Sequence, residues 1–568
     1  MVMLEPGEIL HKNGLLDAEQ LQQLREESTG STNLISAAIG QGMVQEEEAL
    51  RAVGDALGMD FVDLRSVDVD IDLVKSFPQK LIYRHNLFPI SRVNGSMTVA
   101  TSDPLDVYAL DEAAAATGLS IVPVVSEKAE IARLMKKHLG VGSETVEGLL
   151  AAREEEGDIE LLEDLELDGS ELSEEAQEAS VIRLVNEILV EAIDSRASDV
   201  HIESQAEGIM IRYRIDGILH EQPVPPEINR FHAAIISRLK IMARLNIAEK
   251  RLPQDGRIKL KVHGREIDIR LSVIPMIHGE GLVMRILDKG AMKFDLQGLG
   301  MDPHTYGLFS KLIRLPHGIV LVTGPTGSGK TTTLYSSLLE IRSPENKIIT
   351  TEDPVEYQLS GINQIQVHTK IGLTFAASLR SILRHDPDVV LVGEIRDHET
   401  AENAIQASLT GHLVFSTLHT NDAAGAFTRI VDMGIEPFLV SSTVEGIMAQ
   451  RLVRRLCDEC KEPYTPAKED MPNDFPWEKL DGKQLFRSRG CRACRNVGYA
   501  GRMGIYELLV TNEEIKELAH GRVSTWEIKQ AALKAGMHTL RMDAWDKAVF
   551  GSTSVDEVFR VTKGDHVA

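Results

Sequence analysis

The chain has 568 residues, with 61 Lys and Arg against 86 Asp and Glu, a formal net charge of -25, four cysteines and 43% apolar residues. At roughly 150 residues per domain this length predicts three or four domains with ample core, and the ordinary apolar-to-charged balance excludes a disordered tail protein. Taken whole, the acidity argues against nucleic acid or anionic membrane as a partner, since both select for basic surfaces, but its distribution is uneven: -11 over residues 1–150, -12 over 151–180 and -2 over 181–568.

In residues 1–60, Leu10, Leu15, Leu21 and Leu24, then Leu34, Ile39, Leu50, Val53 and Leu57, recur at helical spacing and predict a small helical subdomain. Over 61–144 the β-like runs LFPISRV, SMTVATSD and LSIVPVVS alternate with helical stretches, which predicts an α+β module. Together, 1–144 reads as a docking or folding module without the residue types of a catalytic site. Residues 145–180 contain EEEGDIELLEDLELDGSELSEE, which cannot bury enough apolar area to offset chain entropy and repels itself. They read as a flexible acidic linker with a transient helix around Leu161 to Leu167, the alternative being an acidic interaction tail. The start MVMLEPGEIL carries acid where a signal peptide needs positive charge, and no apolar stretch reaches the roughly 18–20 residues that span a bilayer. A cytosolic location with reduced cysteines is the expectation.

Residues 181–295 open with an amphipathic helix ending near Ser195. GIMIRYRIDGILHE, GRIKLKVHG and REIDIRLSVIPM then alternate apolar and charged residues as antiparallel strands do. This second α+β domain holds Arg196, Arg212, Arg214, Arg257, Arg265, Arg270 and Arg285; any one of them reads more readily as a solvated strand charge than as a functional group. From residue 296 to 568 the runs HGIVLVTG, KIITTED, DVVLVGE and HLVFSTL alternate with helical patterns, the signature of a parallel α/β sheet buried on both faces.

The chemistry falls at the ends of those strands. GPTGSGKT, residues 324–331, matches G-x-x-x-x-G-K-[ST] between a strand and a helix. Gly324, Thr326, Gly327, Ser328 and Gly329 would offer backbone amides to phosphate oxygens, with Thr332 continuing into a helix whose positive end adds to the field. Lys330 would reach the β- and γ-phosphates and Thr331 would place its hydroxyl on Mg²⁺. A second apolar strand delivers Glu394, placed to orient or deprotonate water or to act through the metal. IITTEDPVE supplies Glu352, Asp353 and Glu356, of which Glu352 is the alternative general base; the residues alone do not divide the work between Glu352 and Glu394. TGHLVFSTLHTND carries His412 and His419, and the position of His419 after a strand puts it near a γ-phosphate, with a structural histidine as the plain alternative.

All four cysteines fall in one pattern, Cys457 and Cys460 followed thirty residues on by Cys491 and Cys494, each pair a CxxC knuckle. Two knuckles complete a tetrahedral Zn²⁺ site, here structural and at the base of an inserted loop within about 452–505. Arg487, Arg489, Arg492 and Arg495 beside it keep a nucleic-acid ribbon as a competing reading.

The blocks RASDVHIE, RLPQDGRI, DIRLSVIPM, GPTGSGKTT, ITTEDPVEY, LRHDPDVVLVGEIRD, TGHLVFSTLHTNDA and QRLVRRLC, with the later GCRACRNVGYAGRMGIYELL, run in the order of one family. Over about 180–568 the chain resembles the hexameric ATPases of type II secretion and type IV pilus assembly (GspE and PilB types). The resemblance implies a RecA-like P-loop ATPase domain with an inserted zinc module, preceded by a PAS-like α+β domain and an N-terminal docking domain. It implies ATP, Mg²⁺ and Zn²⁺ as ligands, Glu352, Glu394 and His419 at the hydrolytic site, and Arg257 and Arg270 reaching the nucleotide of a neighbouring domain, with Arg212 and Arg285 in reserve. The implied protein is a ring of six, cytoplasmic and peripherally attached to the inner membrane. It would turn an inner-membrane platform protein to assemble pilin-like subunits and dock through its N-terminal module on a membrane-associated partner. Some members bind cyclic di-GMP there, but LEPGEILHKNGLL and TNLISAAIGQGMV lack the Arg-Leu-Gly start of the binding motif, which counts against that ligand. The zinc module, the long N-terminal region and the lack of an AIRNLIRE-type helix favour an assembly or secretion motor over a retraction motor. A nucleic-acid translocase and a nucleotide-gated scaffold are the competing functions.

Overall fold

The computed structural model describes residues 6–27, 34–139 (apart from 68, 70, 79, 80, 83, 84 and 94), 159–161, 179–288, 290 and 295–563. Its backbone divides into two units, Met1–Gly290 and Ala291–Ala568.

The first unit begins with helices Pro6–Lys12, Ala18–Glu27, Leu34–Gly40 and Glu46–Leu57, whose apolar stripes meet in a small core of Leu10, Leu24, Ile35, Ala49 and Val53. The three β-like runs that follow form one sheet: Phe88–Val93 pairs antiparallel with Ser96–Thr101, and that strand pairs parallel with Ser120–Val125. Helix Ala179–Asp194 ends one residue short of the expected Ser195. Seven strands then make an antiparallel sheet in the order Ile159–Leu161, Gln254–Val262, Arg265–Met276, Gly279–Asp288, Ala197–Gln205, Gly208–Ile215, Ile218–Gln222. One face is apolar and is covered by Ala179–Asp194 and His232–Met242, as the two-residue alternation requires.

Ile159–Leu161 lies in the stretch expected to be a flexible linker, yet it is a strand paired with residues 260–262. The expected transient helix around Leu161 to Leu167 lies almost wholly outside the described residues.

The second unit is a seven-stranded sheet in the order Asn363–Gln366, Ile348–Glu352, Val389–Val392, Leu413–Leu418, Gly318–Thr323, Val444–Leu456, Tyr499–Val510. The first six run parallel and the last is antiparallel. Gly318–Thr323, Val389–Val392 and Leu413–Leu418 are buried at every position, because helices cover both faces and no side of the strand meets water. Two separate cores lie on those faces, one including Leu321, Val390, Val414 and Phe427, the other Val320, Leu334, Leu391 and Phe415.

Residues 452–456 and 499–505, expected within the zinc insertion, belong instead to the two long strands Val444–Leu456 and Tyr499–Val510. The cysteines begin directly after Leu456, which faces Tyr499 across the ladder.

Candidate active site

Thr323 lies opposite Leu418, Val392 opposite Ser416 and Thr351 opposite Val392, so the segments leaving these parallel strands emerge from one edge of the sheet. That edge collects the candidate residues.

The loop after Gly318–Thr323 turns on glycines with φ of 147° at Gly324, 78° at Gly327 and 89° at Gly329. A Cβ on Gly329 would stand 2.8 Å from Gln450 Nε2, and one on Gly324 would fall on the Gln450 carbonyl oxygen. Glycine is required at both positions by backbone conformation and by close approach. Pro325, Thr326 and Gly327 are exposed, while Ser328 is buried. Helix Lys330–Ile341 starts at Gly329 with no side-chain cap, which leaves its first amides and its positive dipole end available to an anion. Lys330 Nζ donates to the carbonyls of Gly324 at 2.8 Å and Pro325 at 3.1 Å. Burial lowers its pKa and the nearby Glu394 carboxylate opposes that. Thr331 is exposed and Thr332 half-buried on the first turn; Thr333, fully buried, donates to Gln450 Oε1 at 2.7 Å.

Glu352 ends its strand and is almost fully buried. Tyr335 donates to its Oε2, and Thr350 at 2.5 Å and Gln364 at 3.1 Å donate to its Oε1. Burial, then the Glu352 charge, pushes the Tyr335 phenol far above its ordinary range, so it serves as a fixed donor. Both oxygens of Glu352 are committed. Glu394 is held differently: Arg396 pairs with its Oε1 and His419 Nε2 lies 3.6 Å from its Oε2. These partners are 62% and 50% exposed, so they can turn away while Glu394 stays in place. Burial, then the Lys330 charge, lowers the His419 pKa, which keeps the ring neutral at pH 7. His412 sits at the opposite end of the same strand, with Nδ1 2.8 Å from the Ala407 carbonyl, a structural histidine.

Lys330, Glu394, Arg396 and His419 thus act on one another electrostatically at the sheet edge. Sequence reasoning missed Arg396, Tyr335 and Gln450. Arg396 is two residues beyond Glu394 in the same motif, where a counter-ion was to be looked for. Gln450 follows Ala449, the neighbour of Thr323 on the adjoining strand, and that strand was not recognised.

The expected arginines lie in the first unit. Cross-strand register places Arg257 opposite Arg270, Arg270 opposite Arg285, Arg285 opposite Asp199 and Asp199 opposite Arg214. Antiparallel partners share a face, so four arginines and one aspartate form a row on the polar face of the sheet. Arg285 pairs with Asp199 at 3.1 Å and Arg212 is chelated by Glu203 at 2.7 Å. Arg257 is exposed.

Cys457, Cys460, Cys491 and Cys494 converge, with all four Sγ atoms within 4.8 Å of one another. A tetrahedron with Zn–S bonds of about 2.3 Å has edges of about 3.8 Å; the Sγ–Sγ distances are 3.8 Å for 457–491, 3.8 Å for 460–494 and 3.7 Å for 491–494. A disulfide would need about 2.05 Å. The amides of Cys491 and Gly498 each donate to Cys494 Sγ at 3.2 Å, as suits a thiolate. The donor set fits a closed four-sulfur zinc site.

The sequence profile of the Type II/IV secretion system protein family matches residues 174–560, and that of the MshEN domain residues 57–145. The type IV pilus assembly ATPase PilB of Myxococcus xanthus is 42% identical over 98% of this chain and 99% of its own length. The type II secretion system protein E of Xanthomonas campestris is also 42% identical, over 98% and 97%. The type II secretion system protein E of Pseudomonas aeruginosa is 52% identical over 72% of this chain and 80% of its own length.

Proposed function

The chain belongs to the type II/IV secretion system protein family, and on that footing we propose that it is a Mg²⁺-dependent ATPase motor, working as a ring of six, that drives assembly of pilin-like subunits in secretion or pilus formation. One observation carries the reading: the 324–331 loop, Lys330, Glu394 and His419 meet at one edge of the parallel sheet. The loop amides and Lys330 hold the β- and γ-phosphates, Thr331 gives its hydroxyl to Mg²⁺, and Gly324, Thr326, Gly327, Ser328, Gly329 and Thr332 complete the cradle. Glu394 orients the attacking water, since its salt-bridge partners are exposed and movable. Glu352, with both oxygens occupied, braces the strand end. The two glutamates that the residues left equivalent are thereby given different work. His419, neutral, donates to a γ-phosphate oxygen.

Arg257 and Arg270 act on the nucleotide of a neighbouring subunit. Arg257 and Arg270 are like charges directly opposite each other on the ladder, and an anion over them offsets that repulsion. An arginine supplied this way is worth about 10³–10⁵ in rate, so hydrolysis depends on how the domains stand. Cys457, Cys460, Cys491 and Cys494 hold Zn²⁺ in a structural role. Arg487 and Arg489 both pair with Glu462, each at 3.2 Å, which reduces the charge available to nucleic acid and weighs against the translocase. The 1–144 module docks on a membrane-associated partner at the cytoplasmic face of the inner membrane, beside a platform protein. No helix among the described residues is long and apolar enough to cross a membrane.

The test is ATP hydrolysis by the full chain with Mg²⁺. Lys330→Ala should abolish it through lost nucleotide binding. Glu394→Gln should bind ATP normally and lose turnover by about 10²-fold or more, as removal of a catalytic base does. Wild-type rates in both variants would refute this assignment of the site, and a wild-type chain that keeps bound ATP without turnover would leave the nucleotide-gated scaffold.

A further inference from the structure

Glu507 belongs to no element of the site above, yet it is a carboxylate only 2% exposed in the strand Tyr499–Val510. Burying such a group is costly unless it is hydrogen-bonded. Its oxygens are taken by two backbone amides from separate parts of the chain. Ala423 N donates to Oε1 at 2.8 Å and Leu540 N to Oε2 at 3.3 Å. Leu540 opens the helix Leu540–Val549, where a free amide and a positive dipole end both favour a carboxylate. Ala423 lies four residues after His419, and the segment between them is tied at its other end to the phosphate-loop strand. Thr420 N donates to Thr323 Oγ1 at 2.8 Å, the two threonine hydroxyls bond at 2.8 Å, and Thr420 Oγ1 donates to the Asp422 carbonyl at 2.8 Å. One hydrogen-bonded path therefore runs from Thr323, last residue of the strand before the loop, through 420–423 and Glu507 to the helix Leu540–Val549.

We propose that Glu507 is a positioning residue for ATP hydrolysis: with Thr420 it fixes the 419–423 segment, and so His419, against the phosphate-loop strand and couples that strand to the helix Leu540–Val549. The proposal rests on the hydrolytic reading of the site. It has a pH signature. Burial pushes the Glu507 carboxyl up to about 7, opposed by the Ala423 amide and Lys529, with Asp422 adding to the rise. The charges of the helix Leu540–Val549 have other partners: Asp543 pairs with Lys547, Arg541 with Asp474 and Asp546 with Lys479, while the strand residue opposite Glu507 is Ala449. His419 is shifted the other way, below the ordinary imidazole value, by burial and then by the Lys330 charge. Below about pH 7 the protonated carboxyl, with one good acceptor oxygen, holds one amide well; above it the ionised group accepts from both, although its buried charge lowers overall stability as pH rises.

The experiment is kcat and KM for ATP from pH 6 to 8.5 in the full chain, with thermal melts as a folding control. The wild type should gain kcat through an inflection near pH 7. Glu507→Gln, whose amide can accept from only one of the two N–H groups, should lose that inflection and about 10-fold or more in kcat at pH 8, with KM within about 2-fold, as for a misplaced but intact site. Thr420→Val, which leaves Glu507 in place, should lose a comparable factor, and the double variant should be no worse than the poorer single one. A wild-type inflection retained in Glu507→Gln, or losses that multiply in the double variant, would overturn the proposal. Should Glu507→Gln fail to fold, Thr420→Val decides alone, and an unaltered kcat there overturns it. A wild-type chain with no turnover would instead sink the hydrolytic reading, and this proposal with it.

Discussion

Two glutamates, Glu352 at the end of one strand and Glu394 two residues past the end of its neighbour, differ in what holds them. Glu352 has three donors, one of them the buried Tyr335 hydroxyl, while Glu394 has two exposed partners that can leave. The difference predicts different outcomes. Tyr335→Phe removes one donor from a buried carboxylate and should lower stability by about 1–3 kcal/mol, read as a shift of the denaturation midpoint, with a smaller effect on ATP affinity. Arg396→Ala should leave the melting midpoint within about 0.5 kcal/mol, as exposed ion pairs contribute little, while altering kcat. Equal effects of the two substitutions on stability would contradict the assignment. Tyr335 was not evident beforehand, because it reaches Glu352 from the helix Lys330–Ile341, whose place against the strand follows only from packing, whereas Thr350 lies two residues before Glu352 on the same strand.

At the level of elements, the zinc insertion is an outgrowth of two paired strands. Val444–Leu456 and Tyr499–Val510 run antiparallel into the cysteines, and the inserted loop is fastened to the C-terminal helices by Asp474 with Arg541 and by Phe475 stacked edge-on to Trp545, centroids 5.2 Å apart. A metal held by the four cysteines would therefore support a region already packed on the rest of its unit. Cys491→Ser, or prolonged chelation, should release close to one zinc per chain in a colorimetric assay and lower the melting temperature without unfolding the sheet seen by circular dichroism; a wholly unfolded apo chain would show that the metal nucleates the fold. The cysteine spacing announced the site, whereas the limits of the insertion did not follow from it, since alternating sequence such as VEGIMAQRLVRRL supports a strand only once a neighbour is there to pair with it.

At the scale of the molecule, each chain holds the 324–331 loop in one unit and an arginine row in the other, and the proposed motor needs an arginine to reach a nucleotide. Arginines acting between subunits predict complementation: Arg257→Ala and Lys330→Ala chains, each inactive alone, should recover measurable ATPase activity when mixed, because some interfaces join an intact loop to an intact arginine. No recovery at any mixing ratio would place the arginine's action within its own chain. The sequence by itself determined the sheet class, the phosphate loop, the acidic strand ends and the four-cysteine set, because each is carried by residues close together in the chain with a periodicity or spacing that chemistry dictates. Tertiary structure alone decided that Gln450 packs on the glycine loop, that Glu507 accepts from Ala423 and Leu540, that Glu352 has both oxygens taken by donors while Glu394 has exposed partners, and that the arginines of four strands share one row. Those relations join residues tens to hundreds of positions apart, and only strand order and register bring them within the few ångströms over which hydrogen bonds and charges act.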